Sequence, residues 1–152
     1  MAEKVQPDNV VELRARALRL LARREHTGSE LERKLAPHAE SSEAVHGLVS
    51  RLKEKNQLSE ERFAEERARV LSRKYGAARI RQDLKAKGVS AELISRFSTS
   101  DDEMQKAKDI LERKFRTPAG TREEKAKRMR FLQSRGFSSE IIFKLLSARS
   151  DD

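Results

Sequence analysis

The chain contains no cysteine and no tryptophan, and only 5% of its 152 residues are aromatic. Without cysteine it can hold no disulfide framework, thiol nucleophile, iron–sulfur cluster or thiolate zinc site. Large apolar residues are scarce, which favours thin layers of helices over a sheet sandwich. No apolar run is long enough to span a bilayer, and the first residues lack a secretory signal. We therefore expect a cytoplasmic protein that does not bind membranes.

Charged residues are abundant instead. The 34 Lys and Arg exceed the 25 Asp and Glu, which leaves a formal net charge of +9. An excess of this size favours an anionic partner such as nucleic acid or a nucleoprotein assembly. Because the acids are mixed among the bases, we expect most charges to form solvated helix faces with i,i+4 pairs.

A repeated unit runs through the sequence. LLARR at 20–24 recurs as VLSRK at 70–74 and as ILERK at 110–114. A second pair of segments, 84–94 and 132–142, shares Leu, Gly, Ser, Glu and Ile at a spacing of 48 residues. One unit of roughly 40 to 50 residues is therefore used three times. The change of spacing places an insertion in the third unit, at residues 116–120.

Each unit has the pattern of three helices. Apolar residues recur at helical spacing, and Thr27 opens a capping box that begins the second helix. Gly88 and Gly136 are predicted helix stops in the second and third units. Gly76 is predicted to end the helical stretch that precedes the fifth helix. Further capping patterns lie at Ser41 or Ser42, Ser90, 100–103, 121–124 and Ser138. The predicted inward-facing residues include Val10, Leu13, Ala17, Leu20, Leu21, Leu31, Leu35, Phe63, Val70, Leu71, Ile80 and Leu84.

These patterns predict an all-α fold of three tandem three-helix repeats in an elongated, curved array. The predicted segments are an N-terminal tail 1–9, repeats at 10–56, 57–99 and 100–148, and an acidic tail 149–152. Joints near 55–57 and 98–100 are expected to bend. Because the repeats can cover each other's apolar faces, we expect a monomer.

Catalytic and cofactor-binding patterns are missing from the sequence. It contains no GxSxG, Walker A, GxGxxG or HExxH motif. The three histidines, His26, His38 and His46, lie beside turns or on a polar helix, where ordinary surface histidines are expected rather than a metal cluster. We therefore predict a protein that is not an enzyme and that binds no cofactor or metal.

The basic residues are the candidate contact residues. The fifth and eighth helices are the same element in two repeats, so an array would place their cations along a common side. This predicted track consists of Arg79, Arg81, Lys85 and Lys87 on the fifth helix and Lys127, Arg128, Arg130 and Arg135 on the eighth. A secondary basic stripe on the first helix consists of Arg16, Arg19 and Arg23. The alternative is that these charges only keep the helix surfaces soluble.

Three aromatic residues lie close to these cations in the sequence. Phe131 has basic neighbours and falls outside the apolar face that Ala126, Met129 and Leu132 are predicted to form. We expect it to pack against a neighbouring repeat; the alternative is an exposed ring that stacks on a base or anchors a partner. Tyr75 and Phe115 occupy equivalent positions in two repeats, where a core or hinge role is expected.

At these motifs the chain resembles the family of the regulatory protein RecX. The central signature is similar to LSEERF at 58–63 and to SRKYGAARIRQDLKAKGV at 72–89. The opening motif resembles 20–26 and 30–35, and the closing motif resembles 130–137. The likeness covers about residues 10 to 148 in order. It departs at Asn56-Gln57, where the family more often has Gly and an aromatic residue.

The resemblance implies a negative modulator of the RecA recombinase. Members of the family bind RecA, lie in the groove of its filament on single-stranded DNA, and limit filament extension. They thereby lower ATP hydrolysis, strand exchange and coprotease activity in recombinational repair and the SOS response. No fixed set of active-site residues comes with the resemblance, so the contact residues stay hypotheses from charge and repeat position. Direct, weak DNA binding is a further expectation.

Two other classes of protein fit the charge and the helices. One is a helix-turn-helix-like DNA-binding protein, although repeated basic helices indicate contact with the DNA phosphate backbone rather than readout of the bases. The other is an RNA- or ribosome-associated helical protein. Preferential binding of one duplex sequence would favour the first class, and retention on structured RNA without an effect on RecA would favour the second.

Overall fold

The computed structural model describes residues 6–97 and 102–148, and all regular structure in these two ranges is helical. The helices are α1 (Val10–Arg23), α2 (Gly28–Leu35), α3 (Ser42–Glu54), α4 (Glu60–Leu71), α5 (Ala77–Ala86), α6 (Ala91–Ser95), α7 (Glu103–Lys114), α8 (Arg122–Ser134) and α9 (Ser139–Ala148), with a short 3-10 helix (Ala36–His38) after α2. The prediction of an all-α fold is confirmed. Among the described helices, none is both long and apolar enough to cross a membrane. The predicted joint at 98–100, the start of the capping box at 100–103 and the tail 149–152 lie outside the described residues.

Polar side chains begin most of these helices as predicted. The side chains of Thr27, Ser41, Ser90 and Thr121 each accept a hydrogen bond from the backbone N–H three residues on, at 3.1, 3.1, 3.3 and 3.1 Å. Asn9, which is not among the predicted caps, does the same for α1 at 2.8 Å. Each bond satisfies a first-turn N–H that has no partner inside its helix.

Glycines end two of the middle helices. Gly88 and Gly136 have φ values of +91° and +90°, in the left-handed region that glycine enters without steric cost. At the end of α8 the N–H of Gly136 donates to the carbonyl of Gln133 at 3.0 Å, and the N–H of Phe137 donates to the carbonyl of Leu132 at 3.2 Å. The predicted helix stops are therefore confirmed.

Asn56 performs the same task at the end of α3. Its φ is +57°, and asparagine is among the few residues with a side chain that adopt this conformation readily. The N–H of Asn56 donates to the carbonyl of Lys53 at 3.1 Å, and the N–H of Gln57 donates to the carbonyl of Leu52 at 2.9 Å. The joint between α3 and α4 thus contains a left-handed residue, Asn56.

The chain divides into two compact units. The described residues of unit 1 lie within Met1–Ala64 and Lys87–Val89, and those of unit 2 lie within Glu65–Ala86 and Ser90–Asp152. The core of unit 1 consists of Leu13, Ala17, Leu31, Leu35, Val45, Leu48, Val49, Leu52 and Leu58. A core in unit 2 consists of Ala107, Ile110, Leu111, Leu132, Phe137, Ile142, Leu145 and Leu146.

In α1 and α4, one residue each that was predicted to face inward is exposed. Val10 is 66% exposed because the buried line of α1 runs through Leu13 and Ala17, one turn further along the helix. Val70 is 55% exposed although it has the same helical phase as Phe63. In α4 the buried residues lie in the first turns, so helical periodicity predicted a longer apolar face than this helix uses.

The repeats meet through the glycines that end their middle helices. In unit 1, a Cβ atom on Gly88 would lie 2.6 Å from the hydroxyl of Ser29, in the first turn of α2. In unit 2, a Cβ atom on Gly136 would lie 2.5 Å from the Cβ of Arg79, in the first turn of α5. Each glycine thus packs on the start of the middle helix of the preceding repeat, where no side chain would fit.

A second glycine tightens the contact in unit 2. The N–H of Gly76 donates to the carbonyl of Arg135 at 2.6 Å. A Cβ atom on Gly76 would lie 2.6 Å from the carbonyl oxygen of Gly136 and 2.8 Å from the Phe137 ring. We call this contact between the start of α5 and the end of α8 the glycine joint.

We predict that Gly76→Ala lowers the free energy of unfolding by about 1–3 kcal/mol, because the added methyl group overlaps backbone that cannot move freely. The matched control is Gly120→Ala, since the nearest atom to a Cβ there is a Glu124 carboxylate oxygen at 3.7 Å. Urea unfolding of both variants and the wild type measures the difference. Equal stability of the two variants would show that the joint tolerates a side chain.

Candidate partner-binding surface

The structure brings the start of α5 and the end of α8 together. The Nη1 atom of Arg79 donates to the carbonyl of Ser134 at 2.9 Å, beside the glycine joint. Of the eight residues of the predicted basic track, Arg79, Arg81, Lys85, Lys127, Arg128, Arg130 and Arg135 belong to unit 2, and Lys87 belongs to unit 1. Contact between the two basic helices is therefore a feature of unit 2.

Two arginines of the track lie against one tyrosine. The guanidinium carbon of Arg79 is 4.5 Å from the centroid of the Tyr75 ring, and that of Arg135 is 5.4 Å from it. A guanidinium over an aromatic ring is attracted by the negative face of the ring. Tyr75 precedes α5 and Arg135 follows α8, so this ring links the two helices.

The series of contacts continues into the third repeat. Arg135 also lies 5.1 Å from the centroid of the Phe131 ring. Phe131 meets Phe115 edge to face, with centroids 5.6 Å apart and planes at 86°, and Arg128 lies 4.8 Å from the centroid of Phe115. We call this continuous series the arginine–aromatic ladder; its members are Arg79, Tyr75, Arg135, Phe131, Phe115 and Arg128.

Arg128 occupies a core position of α8. It is 5% exposed, whereas Met129, predicted to face inward, is 42% exposed. The buried line of the helix thus runs through Arg128 and Leu132, because the guanidinium of Arg128 packs on Phe115. An apolar periodicity count misses this line, since it scores arginine as polar.

The ladder accounts for the positions of the three aromatic residues that lie near the basic track. Phe131 is half-buried and packs against Phe115 and Arg135, all within the third repeat. The expectation of packing is thus right, but the packing lies within one repeat rather than between repeats. Tyr75 and Phe115 are also half-buried, and their rings contact arginines of the chain itself. None of these three rings is presented as a platform for base stacking.

Other cations of the track are directed to solvent. Lys85, Lys127 and Arg130 are exposed, and within the described ranges none of the three forms an ion pair. The only acid of α5, Asp83, is held by Arg67 through contacts of 2.9 and 3.1 Å. We call Lys85, Lys127 and Arg130 the free cations.

The secondary stripe on α1 is partly neutralised. The Nε atom of Arg16 donates to Asp8 at 2.7 Å, and this hydrogen bond lowers the pKa of the Asp8 carboxyl. Arg19 and Arg23 are exposed. The stripe therefore offers two exposed cations rather than three.

The expectation that all three histidines lie at the surface is wrong for His26, which is 1% exposed. Its Nδ1 atom is 3.0 Å from the carbonyl oxygen of Arg24, and its Nε2 atom is 3.0 Å from the Nζ of Lys34. This arrangement fits a neutral ring that donates from Nδ1 and accepts from the lysine. His46 is exposed and His38 is half-buried. Nowhere in the described ranges do three or more His, Asp or Glu side chains gather closely enough to hold a metal ion.

Burial is the main cause that lowers the pKa of His26, and the nearby Arg24 and Lys34 add to it. The unfolded chain therefore binds a proton near pH 6.5 that the folded chain disfavours, and stability is lost as the pH falls below that value.

We predict that the free energy of unfolding falls by up to about 1.4 kcal/mol per pH unit below roughly pH 6.5. The carboxyls of Asp8 and Glu30, whose pKa values are lowered, contribute only at more acidic pH. Urea unfolding between pH 7.5 and 5 is the measurement. His26→Gln should remove this dependence and His46→Gln should keep it; an unchanged slope in His26→Gln would contradict the assignment.

Comparison with known proteins identifies the family. Three family models match the chain in order: the first three-helix domain of RecX at residues 14–52, the second at 59–96 and the third at 101–146. The chain belongs to the RecX family. RecX proteins are regulatory proteins, and the resemblance seen in the sequence motifs is confirmed.

Relatives match over most of the chain. The regulatory protein RecX of Ralstonia nicotianae is 39% identical over 142 residues, which cover 92% of this chain and 89% of the relative. The regulatory protein RecX of Neisseria meningitidis is 42% identical over 132 residues, which cover 86% of each chain.

Solved RecX structures share the fold. The crystal structure of RecX from Lactobacillus salivarius superposes with a TM-score of 0.82 at 19% identity, covering 94% of this chain and 97% of that one. At this level of identity the likeness shows the three-helix-repeat fold alone. The predicted repeat boundaries at 10–56, 57–99 and 100–148 stay a prediction.

Proposed function

We propose that this RecX-family chain is a negative modulator of the RecA recombinase in the cytoplasm. It binds RecA and the groove of the RecA filament on single-stranded DNA, and it limits filament extension. RecA-dependent ATP hydrolysis, strand exchange and coprotease activity fall as a result, which restrains recombinational repair and the SOS response. The observation that carries this proposal is the match of all three RecX domains in order along the chain.

The surface of unit 2 supports contact with an anionic filament. Lys85, Lys127 and Arg130 are exposed cations on two helices that meet at the glycine joint. A nucleoprotein filament presents DNA phosphates and acidic side chains, and cations that lack an internal partner are available to both. The positive net charge of the whole chain adds long-range attraction.

The chain acts in this proposal as a binding protein and not as an enzyme, and it works as a monomer without a cofactor. The rings of Tyr75, Phe115 and Phe131 already contact arginines of the chain, so they are poorly placed to stack on nucleic-acid bases. Direct DNA binding is therefore expected to be weak and to come from phosphate contacts. The helix-turn-helix and RNA-binding alternatives are tested by the same binding measurements.

We predict that reversing the three free cations, as Lys85→Glu, Lys127→Glu and Arg130→Glu combined, weakens binding to RecA filaments by roughly tenfold or more at low salt. Reversal replaces attraction by repulsion without touching the ladder. Anisotropy of the labelled protein, titrated with filaments locked by a non-hydrolysable ATP analogue, measures the affinity.

The matched comparison is Arg19→Glu with Arg23→Glu, two exposed cations of the α1 stripe. Unchanged affinity in the triple variant, together with loss of binding in the α1 variant, would show that the contact surface lies in unit 1 instead of unit 2. Binding of one duplex sequence or of structured RNA in preference to filaments would favour an alternative function.

A further inference from the structure

We propose that the arginine–aromatic ladder is a positioning device that holds α5 against α8 so that the free cations of both helices bind as one surface. Arg79 and Arg135, predicted from the sequence as contact residues, act on the partner through this placement rather than by touching it. The inference rests on the proposed function and assigns roles within the same basic track.

Arg79 is exposed at the surface, but its guanidinium already contacts other groups of the chain. Its central carbon lies over the Tyr75 ring, 4.5 Å from the ring centroid, and its Nη1 atom donates to the carbonyl of Ser134 at 2.9 Å. Its partners thus belong to the second and the third repeat. The Arg79 side chain therefore bridges the two repeats even though the residue is exposed.

Arg135 also contacts groups in both the second and the third repeat. Its guanidinium lies near Tyr75 in the second repeat and near Phe131 in the third, at 5.4 and 5.1 Å from the ring centroids. Its backbone carbonyl accepts the N–H of Gly76 at 2.6 Å. Arg135 is half-buried, so two rings and one backbone bond occupy it before any partner arrives.

These contacts require the shape of arginine as well as its charge. A guanidinium is planar and forked, so it can lie on a ring and donate to a carbonyl at the same time. The ammonium of lysine keeps the charge but cannot lie flat on a ring. The free cations need only charge, and this difference separates a positioning residue from a contact residue.

The ladder couples sites that the sequence places in different repeats. Lys85 extends from α5, whereas Lys127 and Arg130 extend from α8, and the described contacts that tie these helices together lie at the glycine joint and the ladder. A filament that engages both helices gains from having them prearranged, because no ordering is then needed on binding.

The test compares variants of equal charge. Arg79→Lys should weaken filament binding by roughly tenfold, since both the ring contact and the geometry of the Ser134 bond are lost. Arg122→Lys, the same change at an exposed arginine of α8 outside the ladder, should bind as the wild type does. Tyr75→Leu should behave like Arg79→Lys, and Tyr75→Phe, which keeps the ring, should retain binding.

Hydrogen exchange of the Gly76 amide reports the joint directly. In Arg79→Lys and Tyr75→Leu this amide should exchange at least roughly tenfold faster, while amides of α9 and of unit 1 keep their wild-type rates. Uniformly faster exchange would indicate general destabilisation and would overturn the positioning role.

The outcomes separate this inference from the proposed function. Wild-type affinity in Arg79→Lys, with loss of binding in Arg79→Gln, would show that Arg79 is a contact that needs only charge, and the inference would be wrong. If wild-type protein did not bind filaments at all, the proposed function would fail, and Gly76 exchange would still decide whether the ladder holds the joint.

Discussion

The close approach of the Gly76 and Gly136 backbones is the constraint on which the rest of unit 2 depends. A Cβ atom on either residue would overlap the opposite repeat, at 2.6 Å from a carbonyl oxygen in one case and 2.5 Å from the Cβ of Arg79 in the other. Only because both positions are glycine can the start of α5 reach the end of α8. The Ser134 carbonyl then comes within reach of Arg79, and the Tyr75 ring comes within reach of Arg135.

Relative to this joint, the arginines and lysines of α5 and α8 fall into two groups, one structural and one available to a partner. Side chains next to it are engaged by rings and carbonyls and stabilise the contact between repeats. Side chains further along the same helices, such as Lys85 and Lys127, are exposed and keep their charge for a partner. A high content of basic residues therefore serves the fold and the proposed binding surface together, which the net charge alone does not reveal.

Local patterns were predictable because their causes are local. A cap such as Thr27 bonds three residues away, a stop such as Gly88 needs only its own φ, and the repeat motifs are readable directly. The ladder was not predicted, because Arg79 and Ser134 are far apart in the sequence and only folding brings them together. The burial of Arg128 and His26 was not predicted for a related reason. Arginine and histidine are usually exposed, but Arg128 is buried against the Phe115 ring and His26 is buried beside Lys34.

The most direct test of the account is the ATPase rate of RecA on single-stranded DNA, with this protein added well below the RecA concentration. Limiting filament extension affects many RecA subunits per bound molecule, so the account predicts a progressive fall in rate at substoichiometric doses. DNA-only and heat-treated-protein samples serve as controls. An unchanged rate, with folded protein and RecA from the same organism, would contradict a role in RecA regulation and leave a basic helical repeat protein whose partner is a different anion.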